Sequence, residues 1–154
     1  MMRDIIIAID PGANGGIAFS PYDGETRVYK MPDTETDIVD LLNDLIEPYR
    51  EDGFTITVYI EKVGGFTGQG QPGSRMFTFG RGVGVLIGAL IAYRCKIIEV
   101  PPTKWQKPYG TSKGMTKTQW KNKLKDHAQK LYPQLKVTLS TADALLILNY
   151  AVNL

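Results

Sequence analysis

Ile5-Ile6-Ile7-Ala8-Ile9-Asp10-Pro11-Gly12-Ala13-Asn14-Gly15-Gly16-Ile17-Ala18 is the stretch whose reading decides the fold. Five apolar residues run without a break into a carboxylate. An apolar run without alternation is the pattern of a strand buried on both faces. Pro11-Gly12 and Asn14-Gly15-Gly16 carry turn chemistry, and Ile17-Ala18-Phe19 resumes a strand. The stretch predicts a hairpin with Asp10 at its lip. Asp before Pro-Gly is also an ordinary turn residue, and the stretch taken alone favours that role. A carboxylate at such a lip is tolerated where it meets water or a cation, and is costly if buried alone.

Outward from this strand, Thr26 to Met31 alternates and reads as a third strand, with Tyr22 to Glu25 as the turn before it. Asp33 to Glu51 reads as a helix. Asp33 or Thr34 can cap it, acids crowd its first turns, and Ile38, Leu41, Leu42, Leu45 and Ile46 share one face. Phe54 to Ile60 is a fourth strand rich in β-branched and aromatic residues, and it ends on Glu61. That repeats the arrangement at Asp10. If the two strands are parallel neighbours, two carboxylates stand side by side at one sheet edge and repel unless a cation lies between them. A pair with Lys62 or an exposed strand end is the plainer account of Glu61.

The chain has 154 residues, one domain's worth, and 43% apolar against 22% charged content is ordinary for a single globular domain spanning 1–154. One cysteine, Cys95, excludes an internal disulfide. Net charge is only +2, but the halves differ: residues 1–62 carry −8 and residues 63–154 carry +10. A basic half points to a polyanionic partner, with a solvated lysine-rich surface as the alternative.

Val63 to Gly73 is Gly-rich with no apolar period and reads as a long loop, in which Phe66 is the lone large apolar side chain, a plug for the core or a probe that stacks on a base. Arg75 to Arg94 reads as a helix, with Ser74 as its cap. Gly80, Gly84 and Gly88 recur every four residues and so share one face, which lets another backbone approach closely, either this chain's sheet or the same helix of a second subunit. Its length of about twenty residues also suits a membrane span, but Arg75, Arg81 and Arg94 and the glycine content argue against it. Lys96 to Val100 is a fifth strand, closed by Pro101-Pro102. Nine lysines lie between 96 and 130 with Trp105, Tyr109 and Trp120 interleaved, a mixture suited to a phosphate backbone. Thr116 to Leu131 reads as a helix carrying His127 on its surface, and Ser140 opens a last, very apolar helix. Ser140-x-x-Asp143 fits a helix-start cap, yet so apolar a helix must pack into the core and carry Asp143 toward the sheet.

Asp10, Glu61 and Asp143, set in Ile9-Asp10-Pro11-Gly12, Ile60-Glu61-Lys62-Val63 and Ala142-Asp143-Ala144-Leu145-Leu146, resemble the RuvC-like Holliday-junction resolvases of the RNase H superfamily, above all the phage-type branch, to which chloroplast resolvases are similar. The loop Gly68-Gln69-Gly70, Phe79-Gly80-Arg81 with Gly84 and Gly88, Val100-Pro101 with Trp105, and Lys121 through Ala128 to Leu131-Tyr132-Pro133 extend the resemblance over most of the chain. It implies an α/β, RNase H-like fold, a five-stranded mixed sheet flanked by helices, with the acids meeting at one edge. It implies a homodimer, formed through the Gly80/Gly84/Gly88 helix, that cuts four-way DNA junctions by paired nicks.

The resemblance further implies two Mg²⁺ ions, with Mn²⁺ as a substitute, Asp10 bridging both and Glu61 and Asp143 each completing one. Lys121 matches the family's basic residue beside the scissile phosphate. Lys104, Lys107, Lys113, Lys117, Lys123 and Lys125 are expected to hold DNA arms, Arg75 and Arg81 to lie nearer the junction centre, and Phe66 to probe it. No leader segment precedes the first strand, so the expected location is the cytoplasm of a bacterial or phage-infected cell. One departure stands out: bacterial members carry a fourth ligand, Asp or His, three residues before the last acid, where this chain has Ser140. Ser140 also supports a non-catalytic junction-binding protein, and the same fold serves fork and flap nucleases. Actin-like ATPases share the Asp-Pro-Gly loop but need two lobes, more than 154 residues supply.

Overall fold

The computed structural model describes residues 4–22, 24–64 and 72–154. Its five-stranded sheet consists of β1 (Asp4–Asp10), β2 (Gly16–Ser20), β3 (Arg27–Lys30), β4 (Thr55–Glu61) and β5 (Lys96–Val100), in the order β3-β2-β1-β4-β5. β1, β2 and β3 form an antiparallel meander, and β1, β4 and β5 are parallel. β1 lies at the centre, flanked by both kinds of neighbour. That position accounts for its unbroken apolar run: Ile5, Ile7 and Ile9 fill one core, while Ile6 and Ala8 face the other.

The helices are α1 (Glu35–Glu51), α2 (Gly73–Ala92), α3 (Pro102–Gln106), α4 (Lys117–Leu131) and α5 (Leu139–Val152), with a 3₁₀ turn at Lys107–Tyr109. α1 and α2 cover one sheet face, burying Ile38, Leu42, Leu45, Ile46, Leu86 and Leu90 against the Ile5/Ile7/Ile9 side. α3, α4 and α5 cover the other, where Trp105, Leu124, Ala128 and the Ala144–Leu148 run meet Ala8 and Ala18. α5 is apolar all round because its sides meet β1, β2 and α4 together.

Local signals set the helix starts. Thr34 caps α1, its Oγ1 accepting from the Asp37 N–H at 3.1 Å, which leaves Asp33 outside the helix. Thr116 caps α4 in a box with Gln119. Two expected caps are corrected. α2 starts at Gly73 behind Pro72, so Ser74 lies inside its first turn, and no side chain caps it. α5 starts behind Thr138, whose N–H donates to Thr141 Oγ1 at 3.0 Å, so the Ser140-x-x-Asp143 cap does not form. α3 and the 3₁₀ turn were not legible in the sequence, because five and three residues hold no period.

α2 is long and apolar enough, by length and composition alone, to cross a membrane. It packs instead along α1, with Leu86 and Leu90 buried, and leaves Phe77, Gly80, Gly84, Gly88 and Ile91 exposed.

Candidate active site

β1 and β4 pair in parallel register up to Ile9 opposite Ile60. Asp10 and Glu61 are the next residue of each strand, so both carboxylates leave the sheet side by side at its C-terminal edge. Such an edge, where the β2 hairpin turns one way and the β4 connection the other, is where α/β sheets leave room for ligands. Two glycines bring the third acid to the same place. A Cβ on Gly15 would overlap the Asp10 carbonyl oxygen, and one on Gly16 would stand 2.8 Å from the Ser140 oxygen and 2.9 Å from the Tyr29 oxygen. Without side chains there, the turn after Asp10 closes tightly and the first turn of α5 rests on the start of β2. Asp143, one position beyond the capped turn, is thereby held at the sheet edge, half-buried.

The four groups sense one another. Burial, then the charges of Asp143 and Glu61, push the Asp10 carboxyl from its ordinary 3.8 up to about 8, with Lys121 opposing. Burial also raises Glu61, against the hydrogen bond from Trp105 and the charge of Lys121. Burial raises Asp143, and Lys121 opposes it. The structure thus brings together all four residues expected at the centre: Asp10, Glu61, Asp143 and Lys121. Three acids and one lysine in a desolvated corner lack positive charge, which is the condition a cation relieves. Their oxygens are the hard donors Mg²⁺ and Mn²⁺ prefer, so the donor set fits such ions. Among the described residues, no three acid, histidine or cysteine side chains stand in a ready-made metal cage.

Glu61 has one partner that the sequence did not reveal. The Trp105 indole Nε1–H donates to Glu61 Oε2 at 2.8 Å, and Trp105 itself is 1% exposed. The only signal available was the aromatic residue following Pro101-Pro102, and nothing in its spacing tied it to an acid 44 residues earlier.

The other lysines expected to meet DNA lie on or beside α3, the 3₁₀ turn and α4, and α3 and α4 pack on the α5 face of the sheet. Lys104 projects from α3, Lys107 from the 3₁₀ turn and Lys113 from the loop before α4, and all three are exposed. Lys117, Lys121 and Lys125 recur every fourth residue and so share a face of α4. Lys123 is turned aside, its Nζ 5.6 Å from the Trp120 ring centre. The rings of His127 and Tyr109 lie 4.9 Å apart, tilted at 45° to one another.

On the other sheet face, a cleft of about 650 Å³ opens between the turn at Gly12-Ala13 and α2, with Arg75, Phe77, Phe79 and Arg81 in its wall. Arg81 is already engaged there: its Nε and guanidinium Nη2 donate to the Glu35 carboxylate at 2.6 and 3.2 Å. Meeting a phosphate through these same two N–H groups would cost Arg81 its Glu35 partner. Gly80, Gly84 and Gly88 are exposed, and a Cβ on any of them meets nothing within 4 Å among the described residues. Close approach to this chain's own sheet is therefore not their purpose. Phe66 lies outside the described residues.

No family model and no curated protein matches the chain. Solved structures do. A Thermus thermophilus RuvC structure superimposes with a TM-score of 0.56 at 14% identity, covering 97% of this chain and 95% of that one. T. thermophilus RuvC in complex with a Holliday junction substrate gives 0.60 at 13% identity, covering 99% and 96%. The chain therefore has a RuvC-like, RNase H-type α/β fold.

Proposed function

We propose that this chain is a divalent-metal-dependent endodeoxyribonuclease that resolves four-way DNA junctions by paired nicks. One observation carries the reading: Asp10, Glu61 and Asp143, from three distant parts of the chain, converge with Lys121 at the C-terminal edge of the sheet in a corner short of positive charge. The solved neighbour of the same fold that is bound to a Holliday junction supports branched DNA as the substrate class.

A phosphodiester resists water because of its own negative charge. Asp10 would be the acid shared by two Mg²⁺ or Mn²⁺ ions, with Glu61 and Asp143 each completing one. Bound there, such ions lower the pKa of a water and stabilise the leaving oxygen. Lys121 brings its ammonium to the same edge and lowers the charge the phosphate meets. Ser140 supplies no carboxylate, so three acids do the work of holding the ions. The lysines of α3, the 3₁₀ turn and α4 hold the DNA arms through their phosphates, and Arg75, Arg81 and Phe66 act nearer the branch point. The exposed glycine face of α2 seats a second copy, and two sites related by a two-fold axis match a two-fold substrate. Recombination, repair or phage DNA processing in the cytoplasm of a bacterial or phage-infected cell is the setting this activity suits.

The test is a cleavage assay on a labelled synthetic four-way junction, a fork and a linear duplex, with Mg²⁺ or EDTA. Symmetric Mg²⁺-dependent nicks in the junction, lost in Asp10→Asn while binding persists, are the expected result. Tight junction binding with no nicks in Mg²⁺ or Mn²⁺ would leave a binding protein. Preferred cutting of the fork would keep the chemistry and change the substrate.

A further inference from the structure

We infer that Trp105 is a positioning residue for the Glu61 carboxylate, fixing one of its oxygens so that the other is presented to a cation in the Asp10/Asp143 corner. The inference rests on the carboxylate-site reading above.

The geometry is built from the backbone outward. β4 and β5 end together, with the Lys62 N–H donating to the Val100 oxygen at 2.8 Å. Pro101 and Pro102 then fix the chain's exit and start α3 at once, Pro102 occupying its first turn, where a missing N–H is harmless. The Lys104 N–H closes that turn on the Pro101 oxygen at 3.0 Å. Trp105 therefore comes off a short, rigid element five residues beyond the end of β5. Its ring is locked among Leu124, Leu145 and their neighbours in the second core. From this fixed seat the indole N–H meets Glu61 Oε2 at 2.8 Å. Glu61 Oε1 accepts no protein hydrogen bond among the described residues.

The chemistry of the donor is informative. A lysine or arginine in this place would orient Glu61 equally well but would neutralise it and compete with a metal ion. An indole is a donor only, carries no charge, and cannot turn without disturbing the core. It orients the carboxylate and leaves its full negative charge available. Buried groups behind a metal's ligands act in this way, and removing one typically weakens metal binding 10–100-fold. Lys104 and Lys107 flank Trp105 in sequence, so the element that orients Glu61 also carries part of the lysine face.

The experiment uses the full chain with Mn²⁺ as the probe. Titration followed by electron paramagnetic resonance should show Trp105→Phe binding Mn²⁺ about tenfold more weakly than wild type, in line with the loss of such a partner. On a four-way junction the same variant should lose kcat about tenfold with an unchanged KM, because the lysines are intact. A second variant guards against misfolding. The chain has two tryptophans, so ¹⁵N-labelled wild type shows two indole signals. Glu61→Ala should move the Trp105 signal upfield and leave that of Trp120 in place. Equal Mn²⁺ affinity in wild type and Trp105→Phe, or a Trp105 signal indifferent to Glu61→Ala, overturns the inference alone. A wild type that binds no Mn²⁺ removes the carboxylate-site reading, and the inference falls with it.

Discussion

Replacing Asp10 by Asn should stabilise the metal-free protein at pH 8, although it removes the central acid. An unfolded chain releases the Asp10 proton near 3.8, whereas the folded chain keeps it to about 8. Between those values the native state binds the proton and the unfolded state does not, so stability falls as pH rises across the window and is flat outside it. Each pH unit is worth ~1.4 kcal/mol, so the full window amounts to on the order of 5 kcal/mol. Water entry and small movements of Glu61 and Asp143 relax part of it, leaving about 2–3 kcal/mol. Asn is nearly isosteric and stays neutral, so Asp10→Asn escapes the penalty. For a chain of this size the gain corresponds to a melting temperature about 5–10 °C higher. Thermal melts by circular dichroism in EDTA, at pH 4 and pH 8, read this directly. The two proteins should melt together at pH 4 and separate at pH 8. Adding Mg²⁺ should then raise the wild type and not the variant, by mass action on the folded state. A wild type equal to or more stable than Asp10→Asn at pH 8 in EDTA would refute the crowding of negative charge from which the site is read.

Further outcomes follow from the geometry. Gly16→Ala forces its new Cβ against the Ser140 and Tyr29 carbonyl oxygens and should lower stability by about 1–3 kcal/mol, the usual cost of overpacking, seen as an earlier denaturant midpoint. Gly84→Leu meets open space within the chain, so its melting temperature should hold while sedimentation shows a monomer in place of a dimer; a persistent dimer would move the interface off α2. Lys117→Ala and Lys125→Ala should each weaken junction binding several-fold and flatten its salt dependence by about one charge, measured by fluorescence anisotropy, while Lys121→Ala should depress cutting more than binding.

Much of this was legible in the chain. β1 declared itself through five apolar residues running into Asp10, because a strand buried on both faces has little room for a polar side chain until it ends, and β4, richer in threonine, repeated the terminal carboxylate at Glu61. What the sequence withheld was contact across distance. Asp143 had an adequate local explanation as a cap until Thr138 proved to start the helix. The Trp105–Glu61 hydrogen bond and the Arg81–Glu35 ion pair join residues 44 and 46 positions apart. The first depends on α3, whose five residues are too few for a period to show, and the second on how α1 and α2 lie side by side. Likewise the spacing of Gly80, Gly84 and Gly88 told that they share a face, while only the packing told that none of the described residues covers it.

The three acids stand 51 and 82 positions apart along the chain, and the last of them rides on the helix that closes the second core. The corner they form therefore has no existence in a partly folded protein. A chain that has emerged only as far as β4 carries two carboxylates with no helix to complete them, and one whose α5 has come loose reverts to that condition. Any reactivity lodged here requires α5 to be docked on β1 and β2, and is lost wherever that docking is lost. For a protein that would break DNA strands, immature and damaged copies are thereby harmless without a separate inhibitor.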